Sequence, residues 1–411
     1  MSYDNWSKYK ISDLCDVGSS KRIYRREYVE KGISFYRSKE IILKHNNQDV
    51  SDSLYISEER FDELNSKFGS PQEGDILLTS VGTLGVPYRV KSGEKFYFKD
   101  GNLTWFKNLN DKINSKFLYY WLFSSLGQKA IDDISIGSTQ KAITIKGLNT
   151  IELSLPPLLE QKAIANILSS LDDKIELNNK INKNLEELTQ TLYKRWFVDF
   201  EFPNEDGEPY KSSGGEMVES ELGMIPKGWK TSKLKDIMIL HDNKRIPLSR
   251  REREKRKGQY PYYGAASLMD YVDDYLFDGR YILLGEDGTV EDKNGYPTLQ
   301  YVDGKFWVNN HAHVLEAKNG YDLNSLYILL KNTNIRSIIT GAVQKKINQT
   351  NLKSLKVILP SIDTLIFYND TIRENFDVII NNEKENAFLS KTRDTLLPRL
   401  MNGEIEVPIE K

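Results

Sequence analysis

Cysteine is almost absent. Cys15 is the only one in 411 residues, so neither an internal disulfide nor a cysteine-based zinc site can be built. That usage suits a reducing cytosol. No apolar run approaches the roughly 20 residues that a membrane helix needs, and no secretory leader is recognisable. A soluble cytoplasmic protein without a membrane partner is expected. Charge of one sign is missing too, since 57 Lys and Arg stand against 59 Asp and Glu, net −2. Any contact with nucleic acid must therefore come from local basic patches. Catalytic signatures are also lacking. There is no GxxxxGK[ST] phosphate loop, no HExxH, and no Asn/Asp-Pro-Pro-aromatic motif of the kind that holds a flipped base. Gly82-Thr-Leu-Gly85 is too short for a dinucleotide fingerprint and opens no long helix.

What is present is a long periodic stretch over residues 159–200. Alternating steps of four and three from Ile164 reach Leu168, Leu171, Ile175, Asn178, Asn182, Leu185, Thr189, Leu192 and Trp196. Most of these positions are apolar and no Gly or Pro interrupts them, which predicts a rod of helix with one narrow seam toward a partner helix. Asn178 and Asn182 weaken the seam in its middle, where a polar residue commonly sets register and partner choice.

The chain also repeats itself. Trp6, Asp13 and Leu14 match Trp229, Asp236 and Ile237 at an offset of 223, and Lys21-Arg22-Ile23 falls on Lys244-Arg245-Ile246 at that same offset. Residues 76–78 match 282–284, and Gly82-Thr83 matches Gly288-Thr289, at an offset of 206. Gly137, Gln140, Lys141 and Ile143 match Gly341, Gln344, Lys345 and Ile347, and Leu155-Pro156 matches Leu359-Pro360, at 204. The order never breaks, so the drift records loop indels. A period near 200 residues is too long for a solenoid and reads as a tandem duplication. The expected organisation is a globular unit (1–157), a long helix (158–202), a Gly-, Pro- and Glu-rich linker (203–228), a second globular unit (229–360) and a second long helix with tail (361–411). The second helix is expected to stop near Pro398. Its apolar positions include Ile362, Leu365, Ile372, Phe376, Ile379, Phe388 and Leu397. Antiparallel pairing of the two rods would relate the globular units by a pseudo-two-fold axis. The pairing residues expected are Ile164, Leu168, Leu171, Ile175, Leu185, Leu192, Ile372, Phe376 and Ile379. Each globular unit reads as a small α+β domain, because short β-type runs at 76–80, 95–99, 281–285 and 305–309 alternate with Gly-rich turns and short helical stretches.

Two kinds of residue stand out as candidates for function. His311 and His313, at i and i+2, would face one side of a strand, but no Asp, Glu or Cys set nearby completes a metal site, and ordinary packing is the better reading. Basic residues interleaved with aromatics are the footprint of phosphate contacts. Lys21, Arg22, Arg25 and Arg26 cluster around Tyr24, and Lys244 and Arg245 precede the run 250–257 and the tyrosines 260, 262 and 263. A solvated, partly neutralised helix face is the alternative for that run, but the cluster recurs at the equivalent place in the repeat. The turns 79–83 and 286–289 recur as well, each just after a β run, where they could meet base edges or phosphates; plain β-turns with Gly at φ > 0 are the competing explanation. Residues expected at DNA are Lys21, Arg22, Arg25, Arg26, Lys39, Ser80 and Thr83 in the first unit. In the second they are Lys244, Arg245, Arg250, Arg251, Arg253, Asp287 and Thr289. Gln140-Lys141 and Gln344-Lys345 would face a phosphate or close each domain onto its helix. No catalytic residue is expected.

Several segments resemble the specificity (S) subunits of type I restriction–modification systems. They are LPPLLEQ at 155–161, WFVDF at 196–200, ELGMIPKGW at 221–229, FWVNNHAHV at 306–314 and LLPRLMNGEI at 396–405. The resemblance runs the whole chain in the family's order. One departure is PSIDT at 360–364, where the first copy reads PPLLE. The resemblance implies two α/β target recognition domains separated by two long antiparallel coiled-coil helices. Each domain would read one half of an asymmetric bipartite site in double-stranded DNA. The helices would set the unread gap and dock two modification subunits that use S-adenosylmethionine to methylate adenine N6. Restriction subunits would translocate and cut with ATP and Mg2+. This chain itself would bind no cofactor. Base-contacting residues cannot be carried over by motif. The rival readings are a self-contained DNA methyltransferase or nuclease with fused recognition domains, and a coiled-coil scaffold without DNA function.

Overall fold

The computed structural model describes residues 6–50, 53–137, 141–341 and 344–408. The chain folds as two compact units, Met1–Asn178 with Glu385–Lys411, and Asn179–Lys384. Both unit boundaries fall inside long helices, Leu158–Tyr193 and Ile362–Met401. Each unit thus joins a globular α+β part to a section of both helices.

In the first unit, Ser7–Lys10 pairs antiparallel with Glu152–Leu155, Ser7 opposite Leu155, and so closes the domain where the long helix begins. A four-stranded antiparallel sheet has the order Asp16–Gly18, Leu103–Lys107, Ile76–Thr79, Pro87–Arg89. A second sheet runs Tyr28–Val29, Leu54–Ile56, Ile33–Tyr36, Phe96–Phe98, its last pair parallel. The period of two along Ile76-Leu77-Leu78 explains why the run is wholly apolar. Ile76 and Leu78 face one core, with Phe106, Phe117, Trp121 and the helix residues Ile164 and Leu168. Leu77 faces another, with Tyr88, Phe98 and Trp105.

The second unit repeats the plan. Lys230–Lys233 pairs with Lys356–Leu359. A six-stranded sheet has the order Met238–Leu240, Ala312–Ala317, Phe277–Gly285, Leu299–Val308, Lys257–Tyr263, Leu268–Val272. Ile282 and Leu284 again face one core and Leu283 another. Helices Ser115–Phe123 and Leu323–Lys331 occupy equivalent places. Each starts at a capping side chain, Asn114 or Asp322, that accepts a backbone N–H.

Within each unit the long helices pack antiparallel. In the first, Arg393 Nη1 donates to Asp172 at 2.8 Å and Asn178 Nδ2 to Glu385 Oε2 at 2.7 Å. In the second, Asn382 Nδ2 donates to Asn182 Oδ1 at 2.8 Å and Tyr368 OH to the Thr189 carbonyl at 3.4 Å. Ile164, Leu168, Ile175, Ile372, Phe376 and Ile379 are buried, while Leu171, Leu185 and Leu192 are half-buried. Both seam asparagines are buried, so the polar break in the stripe is filled by side-chain amides and a Glu carboxylate.

Three expectations need correction. Ile362 and Phe388 do not belong to the buried stripe; Phe388 is 69% exposed. The second helix passes through Pro398 to Met401. A proline forfeits one helical hydrogen bond and clashes with the preceding turn, but Leu397, Leu400 and Met401 are buried in the first unit's core and hold the last turn in place. The segment 203–228 is also more than a tether. It carries the hairpin Met217–Ser220 with Gly223–Pro226, and Trp196, Phe202, Ile225 and Trp229 form one buried cluster with Tyr368, Ile372 and Phe376. Its apolar residues are too sparse to show a period, yet Tyr210, Val218 and Ile225 all join that cluster.

The Asn182–Asn382 contact yields a test. Asn182→Leu leaves the half-buried Asn382 amide without its partner and should destabilise the chain by about 1–2 kcal/mol, whereas Asn182→Leu with Asn382→Leu should recover most of that. Urea denaturation monitored by circular dichroism measures both; a double variant no more stable than the single one would show that the amide pair is not the cause.

Candidate nucleic-acid interface

In the first unit the short turn Arg25–Glu27 is held by Glu27, which accepts from Tyr24 N at 2.7 Å and pairs with Arg60 at 2.8 Å. Anchored there, Arg25 and Arg26 are both exposed; Arg26 lies 5.5 Å from the centre of the exposed Tyr24 ring. Lys21 sits over Phe68 at 4.7 Å. Arg22 is 68% exposed and pairs with Asp100 at 3.0 Å. Lys39 is exposed on the helix Ser38–His45.

In the second unit, helix Arg250–Lys255 is capped by Ser249, with Glu252 accepting from Ser249 N at 2.7 Å. Helical geometry divides its charges. Arg250 is 87% exposed and pairs only with Glu254, and Arg251 is exposed. Arg253 points inward, 12% exposed, against Asp270 at 3.3 Å, the Leu248 carbonyl at 2.8 Å and the Tyr262 ring. Arg253 is therefore a structural cation, and its expected place at DNA is withdrawn. Arg256, not singled out by the sequence, stacks over Trp307 at 4.7 Å and pairs with Asp273 at 2.8 Å. Of the cations expected at DNA, Lys21, Arg25, Arg26, Lys39, Lys244 and Arg251 are exposed without an acidic partner among the described residues. Such cations reach phosphates without first breaking an ion pair.

The two recurring turns have matching frames. Val81 forms an isolated antiparallel bridge with Ala142, and Asp287 forms one with Lys346. Ile143 N donates to the Ser80 carbonyl at 2.9 Å, as Ile347 N does to that of Glu286 at 2.8 Å. Each turn is thus strapped to the loop that carries the Gln-Lys motif. Gln140 lies outside the described residues. Lys141 is 3.5 Å from Asp132 and Lys345 is 2.5 Å from Glu291. Gly82 and Gly288 take φ of 81° and 75°, the left-handed values a tight turn requires. Thr83 and Thr289 are exposed. Asp287 is half-buried, 2.7 Å from His311. Ser80 is not available to DNA. It is buried, with its hydroxyl 2.6 Å from that of Thr104.

Arg245 departs furthest from expectation. It is 10% exposed and enclosed by Asp242, Glu286 and the Ala312 carbonyl. His313 is fully buried, Nδ1 2.6 Å from Asp242 Oδ2, whereas His311 is exposed. The two rings do not share a face, because His311 precedes the strand Ala312–Ala317. Ligand atoms of Asp242, Glu286 and His313 lie within 4.8 Å of one another. Two protein cations already meet the carboxylates there, Arg245 Nη1 at 2.7 Å from Glu286 and Lys346 Nζ at 3.3 Å. Burial alone would push the Asp242 carboxyl up. The hydrogen bond and charge of His313, the Val314 N–H and Arg245 outweigh it and hold Asp242 below the ordinary aspartate range.

A depressed carboxylate stabilises the fold above its unfolded value, roughly pH 3.9, and that contribution is lost as the pH falls through the lower folded value. Asp242→Asn should therefore lower the thermal midpoint clearly at pH 7 and much less near pH 2, as read by calorimetry. An equal loss at both pH values would show that shape, not charge, is what Asp242 supplies.

Comparison with known proteins agrees with this architecture. Residues 3–187 and 226–389 match the family described as the type I restriction modification DNA specificity domain, once in each repeat. The MjaIX specificity subunit of a type I restriction enzyme from Methanocaldococcus jannaschii is 28% identical, covering 98% of this chain and 94% of that one. The HindI specificity subunit from Haemophilus influenzae is 23% identical over 81% and 87%. In fold, the crystal structure of a type I restriction–modification S subunit from M. genitalium is similar, with a TM-score of 0.59 at 19% identity over 99% and 97% of the two chains. With a duplicated domain, a long helix after each copy and a family match over most of its length, this chain belongs to the type I restriction–modification DNA specificity family.

Proposed function

We propose that this chain is the DNA-reading subunit of a type I restriction–modification complex and that each globular domain reads one half of an asymmetric bipartite site. The observation that carries the reading is the repeated frame. Both domains present an exposed threonine on a turn strapped to a second loop, together with cations that have no acidic partner. Phosphate contacts by Arg25, Arg26, Lys39, Lys244 and Arg251 set register, and the turns meet base edges. Charge near zero overall confines binding to these patches.

The long helices act as the ruler. At about 1.5 Å per residue, 36 residues span roughly 54 Å, about 16 base pairs at 3.4 Å each. That length is enough to place two readers on successive major grooves. Their outward faces dock the modification subunits, which bind S-adenosylmethionine and methylate adenine. The restriction subunits, with ATP and Mg2+, join through the same complex, and this chain contributes no cofactor site.

Mapping of methylated adenines in a host carrying this chain and its modification subunits tests the reading directly; a methylome indifferent to deletion of the chain would overturn it. Two narrower outcomes follow. Replacing Arg25 and Arg26 with Ala should weaken binding to all DNA sequences and reduce the slope of log affinity against log salt by about two. An unchanged slope removes both residues from the interface. Inserting seven residues beside position 180 and seven beside position 382 should lengthen the unread gap by about three base pairs and leave both halves intact. A gap of constant length sinks the ruler.

A further inference from the structure

The two reading turns are supported by different chemistry. In the first domain the support is uncharged, since the Ser80 hydroxyl meets Thr104 at 2.6 Å and the Leu78 carbonyl at 3.1 Å. In the second, the equivalent position is Glu286, whose carboxylate turns inward to Arg245 at 2.7 Å and Lys346 at 3.3 Å. Arg22 and Arg245 occupy the same place in the repeat, yet Arg22 is out in solvent and Arg245 is enclosed.

Arg245 ties several segments together at once. Its Nη1 donates to Glu286 at 2.7 Å and to the Ala312 carbonyl at 2.6 Å, and Nε donates to the Asp242 carbonyl at 3.1 Å. The network then reaches the strapping loop. Asp242 Oδ2 meets His313 Nδ1 at 2.6 Å and accepts from Gln349 Nε2 at 2.8 Å, while His313 Nε2 donates to the Ile347 carbonyl at 2.8 Å. Ile347 N in turn donates to the Glu286 carbonyl, and Gly288 N to that of Lys345 at 3.0 Å. The Glu286 end of turn 286–289 is therefore fixed to a buried ionic group, and its Gly288 end to the loop whose Ile347 carbonyl that group also holds. Removing one member of such a group leaves the others buried without a counter-charge, so its geometry is held as a unit. Base discrimination needs a contacting side chain held within about 0.5 Å of its productive place.

We propose that Arg245, with Asp242, Glu286 and His313, is the positioning device for the second domain's reading turn, and that it governs discrimination at one half-site only. Arg245 itself touches no base. The proposal rests on the reading of the domains as half-site readers. Its test uses the full chain with its modification subunits in cells, the host's genomic DNA as probe, and base preference at each position of the methylated sites as readout. Arg245→Ala should reduce base preference in one half roughly tenfold, within the range a single base contact supplies, and leave the other half and the gap unchanged. Arg245→Lys, which keeps the charge but cannot span all three acceptors, should restore part of it. Arg22→Ala, at the equivalent place in the first repeat, should leave base preference in both halves unchanged; a relaxed half there would also overturn the asymmetry. If Arg245→Ala does not accumulate, Glu286→Gln, which keeps the shape and drops the charge, carries the same expectation. Equal relaxation of both halves, or an unchanged motif with uniformly weaker methylation, would overturn the proposal. A wild-type methylome without a bipartite motif would instead overturn the reading beneath it.

Discussion

Burial of one stripe on each long helix is the constraint from which the rest follows. Ile164, Leu168, Leu397 and Leu400 are part of the first domain's own core, and Tyr368, Ile372 and Phe376 belong to a cluster with Trp196 and Trp229 in the second unit. A helix whose apolar face is shared with a domain core cannot swing independently of that domain. The asparagines in the middle of the stripe add direction to this burial. Asn178 and Asn182 each find a partner on the other helix, which penalises slippage of the pair by even one turn.

The basic residues divide into two populations with different physics. Arg245 and Arg253 are withdrawn from water and satisfied by carboxylates and carbonyls. They hold the fold, and turning them out to a phosphate would break their contacts with Glu286 and Asp270. Arg25, Lys39, Lys244 and Arg251 keep their charge in solvent at little cost, which is the state in which a cation contributes to counterion release. A basic cluster in a near-neutral chain is therefore part scaffold and part surface.

The duplicated domains keep their backbone plan and change its chemistry. Both strap a turn to a second loop by an isolated bridge. Beneath it one uses a hydroxyl pair and the other a buried ionic group. Backbone pairing is indifferent to side-chain identity, so the frame survives divergence while the groups that set stiffness and local charge change. That freedom suits domains that read different sequences.

The amino-acid sequence by itself determined the duplication, the order of elements, the β runs around residues 76–78 and 282–284, and the helical stripe. These depend on periodicity and local propensity, which neighbouring residues carry. The match to a specificity-subunit family was legible too, because its motifs are continuous stretches. Tertiary structure alone decided which residues face water. Arg22 and Arg245 share the same Lys-Arg-Ile triplet, yet one is exposed and the other enclosed, since Glu286 and Ala312 approach Arg245 from positions 41 and 67 residues away. Ser80 is buried because Thr104 lies across the sheet from it. Within 203–228 Ile225 is buried among Trp196, Trp229 and Tyr368, contacts that no local period announces. Burial is settled by contacts between distant segments, and no local pattern records them.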